Sequence, residues 1–322
     1  MMSKACKIWM IVAAVLIILG ATMFAIAMTS HSWNFTKLNT QKYETNTYIP
    51  DGEFYNIRID TNVSDVTFLP SKDSNCRVKC YEPPKEKHTV SIEDGTLSVR
   101  LVNEKEWYDY IGVNIGTPTV TVYLPLAQYR ALTVRMSTGN VTVSENFTFD
   151  SIDITASTGD VKVLASGTDA VKIKTSTGAI EVANISAGTL DLSVSTGKVT
   201  VSSVACAGDI SLKVSTGKAV LTDVTCHNLS STGNTGDLRL KNVVGSGAFS
   251  IERSSGDVTF DGCDAAELTI LTDTGDVTGT LLSAKVFIRD TDTGRVELPE
   301  TTTGGKCKIT TDTGDIKIRI HS

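Results

Sequence analysis

The chain has 322 residues and a formal net charge of −6. Setting Lys4 and Lys7 aside, 28 basic residues face 36 acidic ones, a balance of −8. That excludes bulk electrostatic attraction to nucleic acid or anionic lipid head groups, and aromatic residues, at 6%, are too few to form a base-stacking platform.

Residues 8–28 read IWMIVAAVLIILGATMFAIAM, about twenty residues without a charge. That length crosses a bilayer core as a helix. Lys4 and Lys7 precede it, and Thr29, Ser30, His31 and Ser32 follow without a basic residue. The positive-inside bias places the N-terminus in the cytoplasm and the remainder outside. Ala25-Ile26-Ala27 also has the small-x-small form of a signal-peptide cleavage site. The apolar run exceeds the usual length of such a peptide, so a retained anchor is the expectation. Trp33 and Phe35 are placed to sit at the membrane–water interface. The division expected is an anchor at 1–30, a polar juxtamembrane linker at 31–50, an irregular β cap at 51–130 and a repeat domain at 131–322.

Within the cap, Phe54, Ile57, Ile59, Val66, Phe68 and Leu69 alternate like β-structure. Asp94-Gly95 between alternating runs predicts a hairpin over residues 89–101. Pro83-Pro84 and residues 103–110, with Trp107, predict loops, and residues 119–125 a strand ended by proline. Trp107, Tyr108 and Tyr110 suit either a cover over a core or a ligand patch.

From 131 onward one turn recurs, as Ser-Thr-Gly-Asn at 137–140 and Asp-Thr-Gly-Asp at 312–315. Its glycines are Gly139, Gly159, Gly178, Gly197, Gly217, Gly236, Gly256, Gly275, Gly294 and Gly314, always 19 or 20 residues apart. A fixed period of that length marks a stacked repeat architecture. Seven, five and three residues before the glycine stand aliphatics such as Leu132, Val134 and Met136, or Leu190, Leu192 and Val194. Two and four after it stand pairs such as Val141 and Val143, or Leu238 and Leu240. A third contact, seven after it, falls on Ile185, Val204, Val224, Val243, Cys263 and Leu282. Period-two alternation on both sides of a glycine corner predicts two strands per coil, each with one buried face. The fold expected is all-β, a β-solenoid of about ten coils spanning about 48 Å at one strand spacing per coil, preceded by one transmembrane helix. Two coils depart. Ser231 and Gly233 stand where the neighbours of the Gly236 coil have aliphatics, and Arg289 stands where Ile270 does one period earlier. The first predicts a poorly filled coil and the second a bulge or register shift.

The seven cysteines are Cys6, Cys76, Cys80, Cys206, Cys226, Cys263 and Cys307, with no C-x-x-C pair. Cys206 and Cys226 each follow a repeat glycine by nine residues, so they belong on adjacent coils, either as buried thiols or within disulfide range. The histidines, His31, His88, His227 and His321, are scattered, and no nucleophile–base constellation can be argued.

Asp-Thr-Gly at 273–275, 292–294 and 312–314 is the tripeptide of aspartic proteases, but copies one coil apart form a column rather than a facing dyad. Asp273, Asp292 and Asp312 share one column. Asp237, Asp257, Asp276 and Asp315 share the next, interrupted by Lys198, Lys218 and Arg295. Like charges opposite each other repel, so these corners are either well solvated or bridged by a cation. Calcium is the cation that suits such oxygens, with Asp273, Asp276, Asp292, Asp312 and Asp315 as the candidate ligands.

Residues 119–143, TVTVYLPLAQYRALTVRMSTGNVTV, followed by S-T-G-D and D-T-G-D turns, resemble the bacterial "putative adhesin" family of unknown function. The resemblance runs from Phe54 to Ile320. It implies a β-solenoid at the surface of the cell envelope, with no established catalytic residues and no cofactor. The expected function is therefore non-enzymatic. A membrane-tethered rod, anchored in the bilayer through residues 8–28, presents a polar surface to an envelope polymer or to another surface or membrane protein. The association of some relatives with envelope-stress systems implies an alternative, an accessory acting through a membrane partner. A polysaccharide-cleaving β-helix is the remote third reading, because no carboxylate pair stands apart from the repeat.

Overall fold

The computed structural model describes residues 4–30, 32–34, 42–73, 75–110, 114 and 116–321. His31 and Phe35, singled out from the sequence, lie outside these. The N-terminal helix α1, Lys4–Ser30, is long and apolar enough to cross a membrane. Most of its large side chains, among them Ile8, Trp9, Leu16 and Phe24, are exposed, and Met28 is buried.

The cap begins with seven strands: β1 (Glu44–Tyr48), β2 (Asn56–Asp60), β3 (Asp65–Pro70), β4 (Arg77–Glu82), β5 (Glu86–Glu93), β6 (Thr96–Asn103) and β7 (Thr119–Leu124). β5 and β6 form the hairpin predicted at Asp94-Gly95, whose φ angles of 49° and 69° suit a tight hairpin turn. β1 falls inside the segment read as linker. It pairs antiparallel with β4, which pairs antiparallel with β7. Its sequence, ETNTY, has no apolar alternation, because it covers a sheet edge rather than facing the core.

Beyond the cap the chain winds as a β-solenoid. Each coil adds one parallel strand to each of two sheets, with a glycine at the corner between them. Leu132 pairs with Ile152, Ile152 with Val171, Val171 with Leu190 and Leu190 with Ile210, so one inward column runs along the rod. All of these are at most 1% exposed. Burying each such side chain stabilises the stack by about 1.5–3 kcal/mol, and the gain requires a neighbour above and below. Nine of the ten corner glycines have φ between 128° and 158°, Gly294 being the exception. Gly236 shows why no other residue serves. Its φ is 128°, and an added Cβ would lie 1.7 Å from the carbonyl oxygen of Gly217 on the coil below.

The order of coils departs from the order of the chain at both ends. At the N-terminal end β2 lies between β6 and the strand Gln128–Thr138, while β3 lies between β7 and Val141–Val143. The later segment, β6 and β7, therefore lies outside β2 and β3, and is covered in turn by β5 and by β4 with β1. At the C-terminal end the strand Gly305–Thr313 inserts between Glu267–Thr274 and Lys285–Thr293. The Gly294 coil is thus the outer end of the rod.

Three local expectations change with this. Arg289 produces no bulge: residues 285–291 pair with 305–311 without a break, and Arg289 sits in column with Ile309. A charge is tolerated there because the coil is terminal and the residue is exposed. Leu282 does not face inward; it is 44% exposed, and Leu281 takes the core position. The register shift between Phe260 and Cys263 moves the contact by one residue. The coil at Ser231 and Gly233 is filled after all, by the guanidinium of Arg253 from the next coil. Arg253 is 2% exposed, and its Nη2 donates to Ser231 Oγ at 2.7 Å.

Candidate functional site

The corner column after each glycine is a hydrogen-bonded ladder. Asp65 Oδ1 accepts the Asn140 N–H at 2.8 Å, Asn140 Oδ1 accepts Asp160 N–H at 2.9 Å and Asp160 Oδ1 accepts Ala179 N–H at 2.7 Å. The ladder stops where Ala179, Lys198 and Lys218 bring no side-chain acceptor, and there the strands Ile180–Cys206 and Ile210–Cys226 run straight through the corner. It resumes with Asp237 accepting from Asp257 (3.4 Å), Asp257 from Asp276 (3.0 Å), Asp276 from Asp315 (2.8 Å) and Asp315 from Arg295 (2.8 Å). An ionised acceptor makes such a bond stronger than a neutral one. Each carboxylate thus uses one oxygen on a backbone N–H of the neighbouring coil, which offsets the repulsion along the column.

The column before the glycine is arranged differently. Asp312 lies between Asp273 and Asp292, one strand spacing from each, and all three are exposed. The ligand atoms of the five aspartates proposed for calcium do not meet as a group of three within 4.8 Å of one another; among the described residues that closeness occurs at Cys80, Glu82 and His88.

This cluster lies in the cap, and a single feature of the sequence points to it: Glu82 continues the inward alternation of Val78 and Cys80. A carboxylate at a buried strand position needs donors, and Glu82 has them. Asn46 Nδ2 donates to Oε1 at 2.7 Å, while the His88 backbone N–H and Nδ1 donate to Oε2 at 2.8 and 2.6 Å. His88 Nε2 lies 2.9 Å from the Thr61 hydroxyl oxygen. The two side chains are 0% and 1% exposed. The Tyr48 hydroxyl is pushed up to about 12, first by burial and then by the Glu82 charge, and burial followed by the same charge raises the Cys80 thiol to about 12. A hydroxyl–imidazole–carboxylate chain has the order used in general-base catalysis. Here both imidazole nitrogens and the carboxylate are engaged internally, the thiol is held neutral, and Thr61 does not line the adjoining cavity of about 230 Å³. The arrangement clasps β1, β4 and β5 to the corner after β2.

Trp107, Tyr108 and Tyr110 lie on a single 3-10 turn and cover no core; they are 75%, 53% and 63% exposed. Lys85 lies 5.4 Å from the Tyr108 ring centroid and Lys105 5.4 Å from that of Tyr110. The Cys206 and Cys226 thiols form no disulfide, and both are buried, as are Cys76, Cys80, Cys263 and Cys307.

These features define a β-solenoid with an apolar N-terminal helix, polar corner columns and a clasped cap. The model of the Toastrack DUF4097 family matches residues 54–208 and 205–322, and the chain belongs to that family. Among solved structures, a "putative adhesin" from Parabacteroides distasonis is 16% identical, with a TM-score of 0.49, covering 74% of this chain and 98% of its own. Another from Parabacteroides merdae is 14% identical, with a TM-score of 0.42, covering 87% of this chain and 98% of its own. Among curated proteins none matches the chain.

Proposed function

We propose that the chain is a non-enzymatic, membrane-tethered surface rod. In this reading α1 crosses the membrane with its N-terminus in the cytoplasm, and the solenoid outside presents its polar columns to an envelope polymer or a surface protein. The observation that carries this is the separation of duties along each coil. The inward aliphatics hold the stack, and outward Ser, Thr, Asp and Lys recur at one strand spacing of about 4.8 Å. A ligand with its own repeat meets the same chemistry at each step, so weak contacts add by multivalency. The test is crosslinking of the full chain in native membranes. Recovery of envelope polymer supports the rod; capture of one stoichiometric membrane protein without polymer replaces it with the accessory reading. The exposed Trp107, Tyr108 and Tyr110, on the cap that the tether enters, favour that second reading over any third. The orientation has its own check. Cys6, on α1, is expected to react with an impermeant maleimide only after the cells are opened.

A further inference from the structure

Arg253 is anomalous in a stack of aliphatics. It is 2% exposed, and no carboxylate lies within ion-pair distance of it among the described residues. One nitrogen, Nη2, bonds to Ser231. Nε is buried without any partner. Nη1 lies against Gly233, 1.7 Å from where a Cβ on that residue would stand, so it occupies the space that a side chain there would fill. A buried charge is ordinarily paired, and burial lowers the affinity of this guanidinium for its proton.

Beside it is a depression of about 260 Å³ whose lining includes both Gly233 and Arg253. The ladder is weakened at this point: Lys213 pairs with Thr232 and Thr216 with Thr235, but Val214 and Gly233 do not pair as Val194 and Val214 do one coil earlier. Ser215, Thr232, Asn234 and Ser254 bring neutral donors to the depression, and Lys213 brings a second cation with no ion pair among the described residues. Glu252 and Asp273 stand on its rim and oppose an anion, which limits the strength of binding.

We propose that this depression is a binding site for one oxyanionic group, a phosphate or a carboxylate, held by Arg253 from the floor and Lys213 from the rim. A guanidinium fork matches either group in geometry. The glycine at 233 is the feature that admits it, since any side chain there would collide with the guanidinium. The inference stands apart from the surface reading: it concerns what the depression holds, whether or not the rod meets a polymer.

The test is calorimetric titration of the full chain in detergent micelles, at low salt, with inorganic phosphate and separately with acetate. Saturable binding of one equivalent of at least one of them is expected, with a dissociation constant on the order of 1 mM. The tighter of the two identifies the group. Arg253→Met is expected to abolish binding, and Lys213→Ala to weaken it about threefold. Absence of binding by both anions overturns the proposal, as does unchanged affinity in a folded Arg253→Met chain. Should that variant not fold, Lys213→Ala decides, because Lys213 is exposed and outside the core: unchanged affinity there also overturns it. A failed titration leaves the membrane-tethered rod standing, and a successful one does not establish it.

Discussion

The carboxylate of Asp276 accepts the backbone N–H of Asp315 at 2.8 Å, although the two are 39 residues apart and the Gly294 coil lies between them in the chain. That bond marks the inversion at the end of the rod, where the last coil is enclosed and the one before it is exposed.

The inversion is directly testable. Cysteines at Asp273 and Asp312 stand on adjacent coils, about 4.8 Å apart at the Cα atoms, whereas Asp273 and Asp292 are two spacings apart, about 9.6 Å. The first distance permits a disulfide and the second does not. Oxidation of D273C/D312C is expected to give the crosslinked chain in high yield, and D273C/D292C to stay reduced, as read by mobility after proteolysis. The opposite result would restore sequential stacking.

Gly236→Ala places a methyl group against the Gly217 carbonyl oxygen in a backbone conformation unsuited to a Cβ. Relief requires separating two coils in mid-rod. A loss of about 3 kcal/mol is expected, at the upper end of single substitutions, and appears as a lower midpoint in urea for the full chain in micelles.

Asp276→Ala removes one acceptor of the corner ladder and leaves the Asp315 N–H without its charged partner. The residue is exposed, so the cost is smaller, about 1–2 kcal/mol. Hydrogen exchange at Asp315 is expected to accelerate while the strands around Gly197 stay protected.

Glu82→Ala leaves the buried His88 and the half-buried Asn46 and Tyr48 facing an empty position. Breaking a buried pair in this way costs about 3–5 kcal/mol. The loss should be local. Exchange protection is expected to fall in β1, β4 and β5, with little change beyond Gly159. Uniform loss along the rod would show that the clasp supports more than the cap.

Alkali should destabilise the protein. Burial pushes the Cys76, Cys80, Cys226 and Cys307 thiols from 9.0 to about 12. Their folded-state values exceed the unfolded ones, so their contribution is complete below pH 9 and lost progressively as pH rises toward 12. Each fully shifted group removes about 1.4 kcal/mol per pH unit in that window. Melting temperature is expected to drop steeply above pH 9, with reactivity of these four buried thiols appearing only as the fold is lost. On the acid side Asp264 acts with the opposite sign. Burial raises it, but the hydrogen bonds from Lys285 at 2.7 Å and Ser283 at 2.9 Å outweigh that and hold it below 3.8. Its contribution is present above that value and disappears as pH falls below it.

Much of the fold is legible in the sequence because a solenoid writes its packing into a period. The inward columns through Leu132, Ile152 and Leu190, the glycine corners and the Asp94-Gly95 hairpin all follow from local alternation and turn chemistry. The candidate site was less legible. The corner aspartates could be named, but their hydrogen bonds could not, because each bond joins residues a full coil apart. Glu82 and Arg253 were missed for a common reason: each is polar at a position whose periodicity demands an apolar side chain. The signal was the violation itself.

The sequence by itself determined that this chain coils, where each coil turns and which side chains face inward. Only the tertiary structure decided which coil lies on which. Near-identical coils present near-identical faces, so periodicity cannot rank one neighbour over another. That choice was left to the ends, where Arg289 is tolerated outermost, and to particular fits such as Arg253 against Gly233 and Glu82 against His88.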